Sequence, residues 1–309
     1  MKITIVGAGS VGSSCAEYIA IKNFASEIVL LDIKENFAEG KSMDLMQASV
    51  LNNFNSQING VTNDYSKTQD SDIAVITSGI PRKPGMSREE LININAKIVK
   101  NVANNLLKFS PNIIIIVVSN PMDTMTYLTH KVLNISKRRI IGMGGILDSA
   151  RFKYRISEQL LSPMSDIEGM VIGAHSDKGM IPLSRFATKK GIPISNFLSP
   201  NKIKLIENET KVGGATLTKM LGTSAWYAPG AAVSSLVQSI ACNQLKMYTC
   251  SVLLSGEYGF SDISIGVPVI IGRNGVEEIV ELKLNSVESE MLEKSVQSVK
   301  LTNGLLESM

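Results

Sequence analysis

Short apolar runs alternate with longer amphipathic stretches through the first half of the chain. The runs predict β-strands at residues 2–6, 28–31, 73–76 and 113–118. The stretches between them predict helices at residues 10–22, 36–50 and 89–108. This alternation is typical of βαβ units, and strands that are apolar on both faces are typical of a sheet with helices on each side. The first half therefore predicts an α/β fold with a doubly wound parallel sheet.

The rhythm changes after residue 143. The pattern there predicts helices at residues 148–161, 202–220, 231–243 and 286–301. It also predicts strands at residues 246–254, 263–271 and 277–284. These strands follow one another without helices between them, which indicates antiparallel pairing. The sequence therefore predicts a parallel domain over residues 1–143, an α+β domain over residues 144–309, and a cleft between them.

The composition narrows the classes of partner. A net charge of +3, from 31 basic and 28 acidic residues without a long basic run, argues against nucleic-acid binding. No apolar run approaches the roughly 18 residues of a membrane span, and the N-terminus lacks a leader pattern. The cysteines, Cys15, Cys242 and Cys250, form no CxxC pair. We therefore expect no metal site, no membrane contact and a cytoplasmic protein with reduced thiols.

A glycine-rich turn follows the first predicted strand and opens the first predicted helix. It has the GxGxxG pattern of a Rossmann dinucleotide-binding fold and consists of Gly7, Ala8, Gly9, Ser10, Val11 and Gly12. In that pattern the first glycine makes the turn, the second lets the backbone approach a pyrophosphate, and the third lets the helix pack on the strand. The free N–H groups at the helix N-terminus favour the anion.

Asp32 closes the second predicted strand and supports the same site. A carboxylate at that place accepts hydrogen bonds from a ribose diol and repels a 2′-phosphate. The sequence therefore predicts NAD as the cofactor and argues against an NADP enzyme.

The search for an acid–base residue is short because the chain has only two histidines. His130 lies in a helical pattern, which favours a surface or packing position. His175 follows the apolar run 170–174, at the end of a predicted strand, where a catalytic or a merely structural role is possible. Imidazole suits proton transfer because its pKa lies near neutrality.

Asp148 and Arg151 lie three residues apart on one predicted helix and therefore share a face. From the residues alone, a local ion pair between them is the favoured reading. Asp148 is also a candidate partner for an imidazole, although the sequence does not place it beside His175.

A segment with two glycines, two prolines and three cations follows the strand 73–76. It contains Arg82, Lys83 and Arg88, and the Ser87 to Glu90 spacing predicts a capping box that starts the next helix. The segment is either a solvated loop or a lid that carries guanidinium groups to an anionic substrate. Asn120 ends the next buried strand, where it either forms a turn or bonds a ligand.

Together these segments resemble the malate/lactate dehydrogenase family across nearly the whole chain. The resemblance is greatest to the bacterial branch that lies closest to the lactate dehydrogenases. It rests on the order and spacing of residues 7–12, Asp32, and the segments 80–88, 118–123, 144–151 and 173–177.

The resemblance implies a role for each matching residue. His175 becomes the proton acceptor in alcohol oxidation, with Asp148 as its partner, and Arg151 binds the carboxylate next to the reacting carbon. Arg88 polarises the substrate oxygen, Asn120 contacts substrate and cofactor, and Ser224 lies near the substrate side chain. Asn95, Val118 and Ser119 line the nicotinamide side, and the peptide before Pro121 is cis.

Arg82 implies the substrate. Family members with arginine at this position act on malate and oxaloacetate, whereas those with glutamine act on lactate. A second substrate carboxylate pairs with a buried arginine, which pyruvate leaves unpaired. The resemblance also implies a homo-oligomer, either a dimer or a tetramer.

Two rival functions stay open at this stage. One is a lactate or other 2-hydroxy-acid dehydrogenase, and the other is an NAD-binding module without catalysis. The chain also departs from the family in two places, where Ser176 replaces a usual glycine and residues 223–226 differ from the usual small residue and tyrosine. We expect the first to need a small local adjustment and the second to affect the fit of the substrate.

Overall fold

The computed structural model describes residues 1–80 and 86–306, without the side chain of Arg88. The strands are β1 (Lys2–Val6), β2 (Glu27–Asp32), β3 (Gln57–Thr62), β4 (Ile73–Ile76), β5 (Ile114–Val117), β6 (Ile140–Gly142), β7 (Ile167–Glu168), β8 (Val171–Gly173), β9 (Met180–Pro182), β10 (Thr188–Lys189), β11 (Ile192–Pro193), β12 (Lys246–Ser255), β13 (Ser261–Gly272) and β14 (Gly275–Ile279). The helices are α1 (Ser10–Ile21), α2 (Phe37–Asn52), α3 (Arg88–Phe109), α4 (Met122–Leu133), α5 (Gly144–Leu160), α6 (Pro200–Leu221), α7 (Tyr227–Ala241) and α8 (Ser286–Gly304).

Six parallel strands form the first half of the main sheet, in the order β3-β2-β1-β4-β5-β6. This order places the turns after β1 and β4 side by side at the carboxyl edge, where the strand order reverses and ligands bind. Strands β1, β4 and β5 are buried on both faces, as their apolar runs predict. The predicted doubly wound parallel sheet is confirmed.

The second half extends the same sheet. Strand β6 pairs with β12, and β12, β13, β8 and β9 continue it with antiparallel pairing. The predicted antiparallel character of this half is confirmed. The shared sheet fixes the end of β8 relative to the end of β6, from which α5 starts.

Helix α1, which follows the glycine turn, packs against α7 from the second half. The helices approach closely at Gly230, where a Cβ atom would lie 2.5 Å from Ser14 Oγ. None of the described helices combines the length and apolar content needed to cross a bilayer.

Candidate active site

The turn after β1 has the geometry of a dinucleotide-binding loop. Gly7 has φ +106°, and a Cβ there would lie 2.7 Å from Thr77 Oγ1. A Cβ at Gly12 would collide with the carbonyl oxygen of Gly7. At Gly9, by contrast, a Cβ would meet nothing within 4 Å, so open space borders the backbone where a pyrophosphate would approach.

Asp32 joins the end of β2 to this turn. Its carboxylate accepts hydrogen bonds from the N–H groups of Ala8, at 2.7 Å, and Lys34, at 2.9 Å. It is half-buried and leaves further lone pairs for a ribose diol. Helix α1 begins at Ser10 with no side-chain cap, which leaves N–H groups at its start for an anion. These residues fit a bound dinucleotide.

The neighbouring strand ends are braced by Asn95. Its Oδ1 accepts the N–H of Ile80 at 2.8 Å, and its Nδ2 donates to the carbonyl of Asn120 at 2.8 Å. Asn95 is 1% exposed, which supports a bracing role for its side chain rather than direct contact with nicotinamide. Ser119 is buried and donates to the carbonyl of Ser78, whereas Asn120 is exposed at the edge.

One sequence expectation about this edge is met. The Asn120–Pro121 peptide is cis. Val118 is partly buried just beyond β5, at the carboxyl edge of the sheet.

His175 lies two residues beyond β8, and its ring is fixed from two sides. Nδ1 lies 2.7 Å from Asp148 Oδ2. On the other side, a Cβ at Gly144 would come within 2.6 Å of His175 Cγ. The glycine that starts α5 therefore leaves the space that the imidazole occupies.

Asp148 bridges His175 and Arg151. Its second oxygen, Oδ1, lies 2.9 Å from Arg151 Nη1, and the carboxylate is only 2% exposed. The local ion pair favoured by the helical spacing therefore exists, and the same carboxylate also contacts the imidazole. Burial disfavours the imidazolium, but the charge and hydrogen bond of Asp148 outweigh it, so the pKa of His175 lies above its usual value.

Arg151 packs against two glycines of α6. Cβ atoms at Gly213 and Gly214 would lie 3.3 Å from its Cδ and 3.4 Å from Nη2. Its Nε is buried without a hydrogen-bond partner in the described part of the chain. The guanidinium thus lies beside α6 with donors to spare for an anion.

The first departure from the family pattern has a simple structural outcome. Ser176 does not adopt a positive φ, so the backbone does not need glycine there. Its hydroxyl accepts the N–H of Gly179 at 3.2 Å. The second departure lies between α6 and α7, where Ser224 is exposed and the Trp226 and Tyr227 rings pack at a tilt of 50° with their centroids 5.2 Å apart.

The structure describes only part of the segment that carries the three cations. Arg82 and Lys83 lie outside the described residues, and Arg88 is described only as the first residue of α3. The predicted capping box is confirmed, since Ser87 Oγ accepts the N–H of Glu90 at 3.0 Å and Glu90 Oε2 accepts that of Ser87 at 2.8 Å.

His130, the other histidine, is buried in α4 and packs in the interior, one of the two positions expected for it. Burial lowers its pKa to about 4. A hydrogen bond with the backbone of Ile140 favours the charged form, but its effect on the pKa is smaller than that of burial. Its Nε2 has no partner among the residues described.

Sequence reasoning gave no role to Asp123, which lies in the first turn of α4. Its Oδ2 accepts the backbone N–H of His175 at 2.8 Å. Its place just after a strand-ending Asn-Pro was the available signal.

Across the part of the chain that the structure covers, no group of three or more His, Cys, Asp or Glu residues is arranged to hold a metal ion.

Both halves of the chain match known families. Residues 1–142 match the lactate/malate dehydrogenase, NAD binding domain, and residues 146–304 match the lactate/malate dehydrogenase, alpha/beta C-terminal domain. The malate dehydrogenase of Flavobacterium frigidimaris is 60% identical over 309 residues, which are 100% of this chain and 99% of that protein.

Solved structures agree with these matches. Malate dehydrogenase from Salinibacter ruber has a TM-score of 0.95 at 37% identity, covering 100% of this chain and 98% of that one. Lactate dehydrogenase from Cryptosporidium parvum, complexed with lactic acid and nicotinamide adenine dinucleotide, has a TM-score of 0.95 at 33% identity, with the same coverage. The first half of this chain is an NAD-binding Rossmann domain. With both halves matched and the site geometry in agreement, the chain belongs to the lactate/malate dehydrogenase family.

Proposed function

We propose that the chain is an NAD-dependent malate dehydrogenase that interconverts (S)-malate and oxaloacetate. The observation that carries the proposal is the Asp148 carboxylate, which contacts both the imidazole of His175 and the guanidinium of Arg151. In this proposal the imidazole is the proton acceptor and the guanidinium, on the other oxygen of the same carboxylate, is the carboxylate-binding group. The 60% identity to a malate dehydrogenase supports the choice of substrate.

His175 is the proton acceptor in this proposal. When bound, NAD⁺ supplies a nicotinamide ring that accepts the hydride from the malate carbon. With Nδ1–H donating to Asp148, Nε2 carries the lone pair that takes the hydroxyl proton. In the reverse direction the same Nε2–H protonates the carbonyl oxygen as it becomes a hydroxyl.

The remaining residues bind substrate and cofactor. Arg151 holds the carboxylate beside the reacting carbon, and Arg88 polarises the reacting oxygen. Asn120 contacts both substrate and cofactor, and Ser224 lies near the substrate side chain. Arg82 pairs with the second carboxylate. Since pyruvate has no such group, leaving that arginine unpaired in a closed site costs roughly 2–5 kcal/mol.

Residues 1–143 hold the cofactor and residues 144–309 supply the acid–base chemistry in this assignment. Residues 7–12 bind the pyrophosphate and Asp32 the adenosine ribose. Val118, Ser119 and Asn120 form the wall on the nicotinamide side, with Asn95 bracing it from behind.

We also propose a cytoplasmic homo-oligomer, either a dimer or a tetramer. Its support is a set of exposed apolar side chains on α2, where Met43 is 65%, Val50 79% and Leu51 83% exposed. The support for the compartment is that the cysteines are free thiols, which suits reducing surroundings. Light scattering during size-exclusion chromatography tests the assembly, and a monomer at micromolar concentration contradicts it.

The experiment for the activity is initial NADH oxidation with oxaloacetate and with pyruvate, at matched concentrations. We expect a strong preference for oxaloacetate, and Arg82→Gln should reduce it. A preference for pyruvate makes the chain a lactate dehydrogenase-like enzyme, and no turnover of either favours a non-catalytic NAD-binding module. Both results contradict the proposal.

A further inference from the structure

A second buried carboxylate lies beside the acid–base histidine. Asp123 is 5% exposed and comes from α4, whereas Asp148 comes from α5. Its Oδ2 accepts the backbone N–H of His175, while Asp148 contacts the ring. The two carboxylates therefore hold the same residue at its main chain and at its side chain.

Stability alone does not explain a carboxylate at this position. Burial raises the pKa of Asp123 and makes its ionised form costly, and no Lys or Arg of the described residues forms an ion pair with it. Its Oδ1 is buried without a hydrogen-bond partner in the described structure. A neutral acceptor such as asparagine would hold the same N–H at a lower desolvation cost.

Neighbouring groups nevertheless stabilise the ionised form of Asp123. The N–H of His175 and the nearby Ser251 hydroxyl on β12 both lower the pKa of Asp123 against the effect of burial. The Ser251 Oγ, like Asp123 Oδ1, has no other hydrogen-bond partner among the described residues. Its position in the first turn of α4 adds the favourable end of the helix dipole. The negative charge of Asp123 in turn favours the imidazolium of His175.

A neutral tie already anchors the same loop. Ser295 Oγ accepts the N–H of Ala174 at 2.9 Å and donates to the carbonyl of Gly179 at 2.9 Å. The backbone on both sides of His175 is thus held by a hydroxyl group. What an ionised Asp123 adds to this arrangement is a charge.

We propose that Asp123 is a positioning residue for proton transfer, one that fixes the main chain of His175 and stabilises its protonated ring together with Asp148. Among the described residues, the charged groups that act on the imidazole are Asp148 and Arg151 from α5 and Asp123 from α4. With both carboxylates ionised and the arginine charged, the cluster is electrically neutral only when His175 carries its proton. The inference rests on the proposed function of His175.

Asp123→Asn is the decisive variant, because it keeps an acceptor oxygen for the His175 N–H and removes the charge. In pH profiles of kcat/KM for malate oxidation and oxaloacetate reduction, we expect the histidine midpoint to fall by about 1 pH unit. Oxaloacetate reduction above the wild-type midpoint should fall roughly 10-fold, since one pKa unit is there a tenfold change in the protonated fraction. KM for NADH should stay unchanged.

Two controls separate charge from packing. Ser295→Ala loosens the same loop without changing charge, so it should lower kcat modestly and leave the midpoint in place. Asp262→Asn removes a carboxylate that contacts Tyr127 and Lys131 on α4, at an exposed position, and should leave both quantities unchanged.

A wild-type midpoint and turnover in Asp123→Asn would overturn the proposal, as would an upward shift. If that variant does not fold, Ser251→Ala takes its place, because losing the hydroxyl disfavours ionised Asp123 and should shift the midpoint down by a smaller amount. An unchanged midpoint in Ser251→Ala then contradicts the proposal. Wild-type protein that does not turn over oxaloacetate refutes the proposed function instead, so the two failures are distinguishable.

Discussion

The two histidines of this chain occupy contrasting surroundings. His130 is enclosed in the interior by α4 and the backbone of Ile140, no carboxylate of the described residues acts on it, and its pKa falls to about 4. His175 is also shielded from solvent, but Asp148 contacts its ring and Asp123 its main chain, and its pKa rises. Burial acts in the same direction at both sites, so the carboxylates account for the opposite outcomes.

The contrast shows why burial by itself does not identify a functional histidine. A neutral imidazole with a lowered pKa and one hydrogen bond, like that of His130, is an ordinary packing residue. A protonatable imidazole needs a nearby negative charge and an opening to the substrate. His175 has both. Asp148, whose side chain is 2% exposed, is the nearby negative charge, and the 17% exposure of the His175 side chain leaves the opening.

The largest effect that sharpens this contrast is on turnover. We expect His175→Asn to lower kcat by roughly 10²-fold or more, the usual scale for an acid–base group. His130→Gln is the matched control and should keep near-normal kcat, because it touches neither substrate nor Asp148. Steady-state kinetics with malate and NAD⁺ measure both, and equal losses in the two variants would remove the distinction.

The next effect is on stability at low pH. The folded-state pKa of His130, about 4, lies below the unfolded value of about 6.5, so unfolding takes up a proton below that pH. The free energy of unfolding should therefore drop by ~2 kcal/mol from this group between about pH 7 and about pH 5. Urea unfolding of wild type and His130→Gln at both pH values isolates the contribution of His130 to this drop. An equal pH dependence in the two proteins would show that His130 does not carry it.

Removing the charge of Asp148 should make His175 resemble His130. In Asp148→Asn the pKa of His175 loses its main support, so oxaloacetate reduction above the wild-type midpoint should fall roughly 10-fold per unit of lowered pKa. The pH profile of kcat/KM measures the shift. A midpoint that stays at the wild-type value would mean that another group holds the proton.

Much of the fold follows from the sequence because long, regular patterns carry it. The apolar run of β5 and the capping box of α3 both appear where they are predicted. Strands β3 and β6 were not predicted. Strand β3 (Gln57–Thr62) contains Asn59 and Gly60 and lies at the sheet edge, and β6 has only three residues, so neither forms a recognisable apolar run.

The site was predictable where local motifs specify geometry. The spacing of Gly7, Gly9 and Gly12 fixes a turn that the structure reproduces. Contacts between distant segments were not predictable, because the 52-residue separation of Asp123 and His175 is closed only by the assembled sheet. The resemblance to a family supplied the pairing of Asp148 with His175, which helix periodicity could not give.

The smallest effect concerns the guanidinium that shares Asp148 with His175. Gly214→Ala places a Cβ about 3.4 Å from Arg151 Nη2, so the side chain must shift slightly. We expect KM for malate to rise roughly fivefold, equivalent to about 1 kcal/mol, with kcat little changed. Gly304→Ala, where a Cβ meets nothing within 4 Å, is the control. A KM unchanged by Gly214→Ala would place the substrate carboxylate elsewhere.

The most direct test of the difference between the histidines is an NMR titration of the protein with isotope-labelled histidine Cε1. Because the chain has two histidines, the spectrum contains two signals to assign, and His130→Gln identifies them. We predict that the His175 signal titrates above about pH 6.5 and moves down in Asp148→Asn, while the His130 signal stays neutral to about pH 5. A His175 signal that titrates below the usual histidine value, or that ignores the loss of the Asp148 charge, would contradict the account.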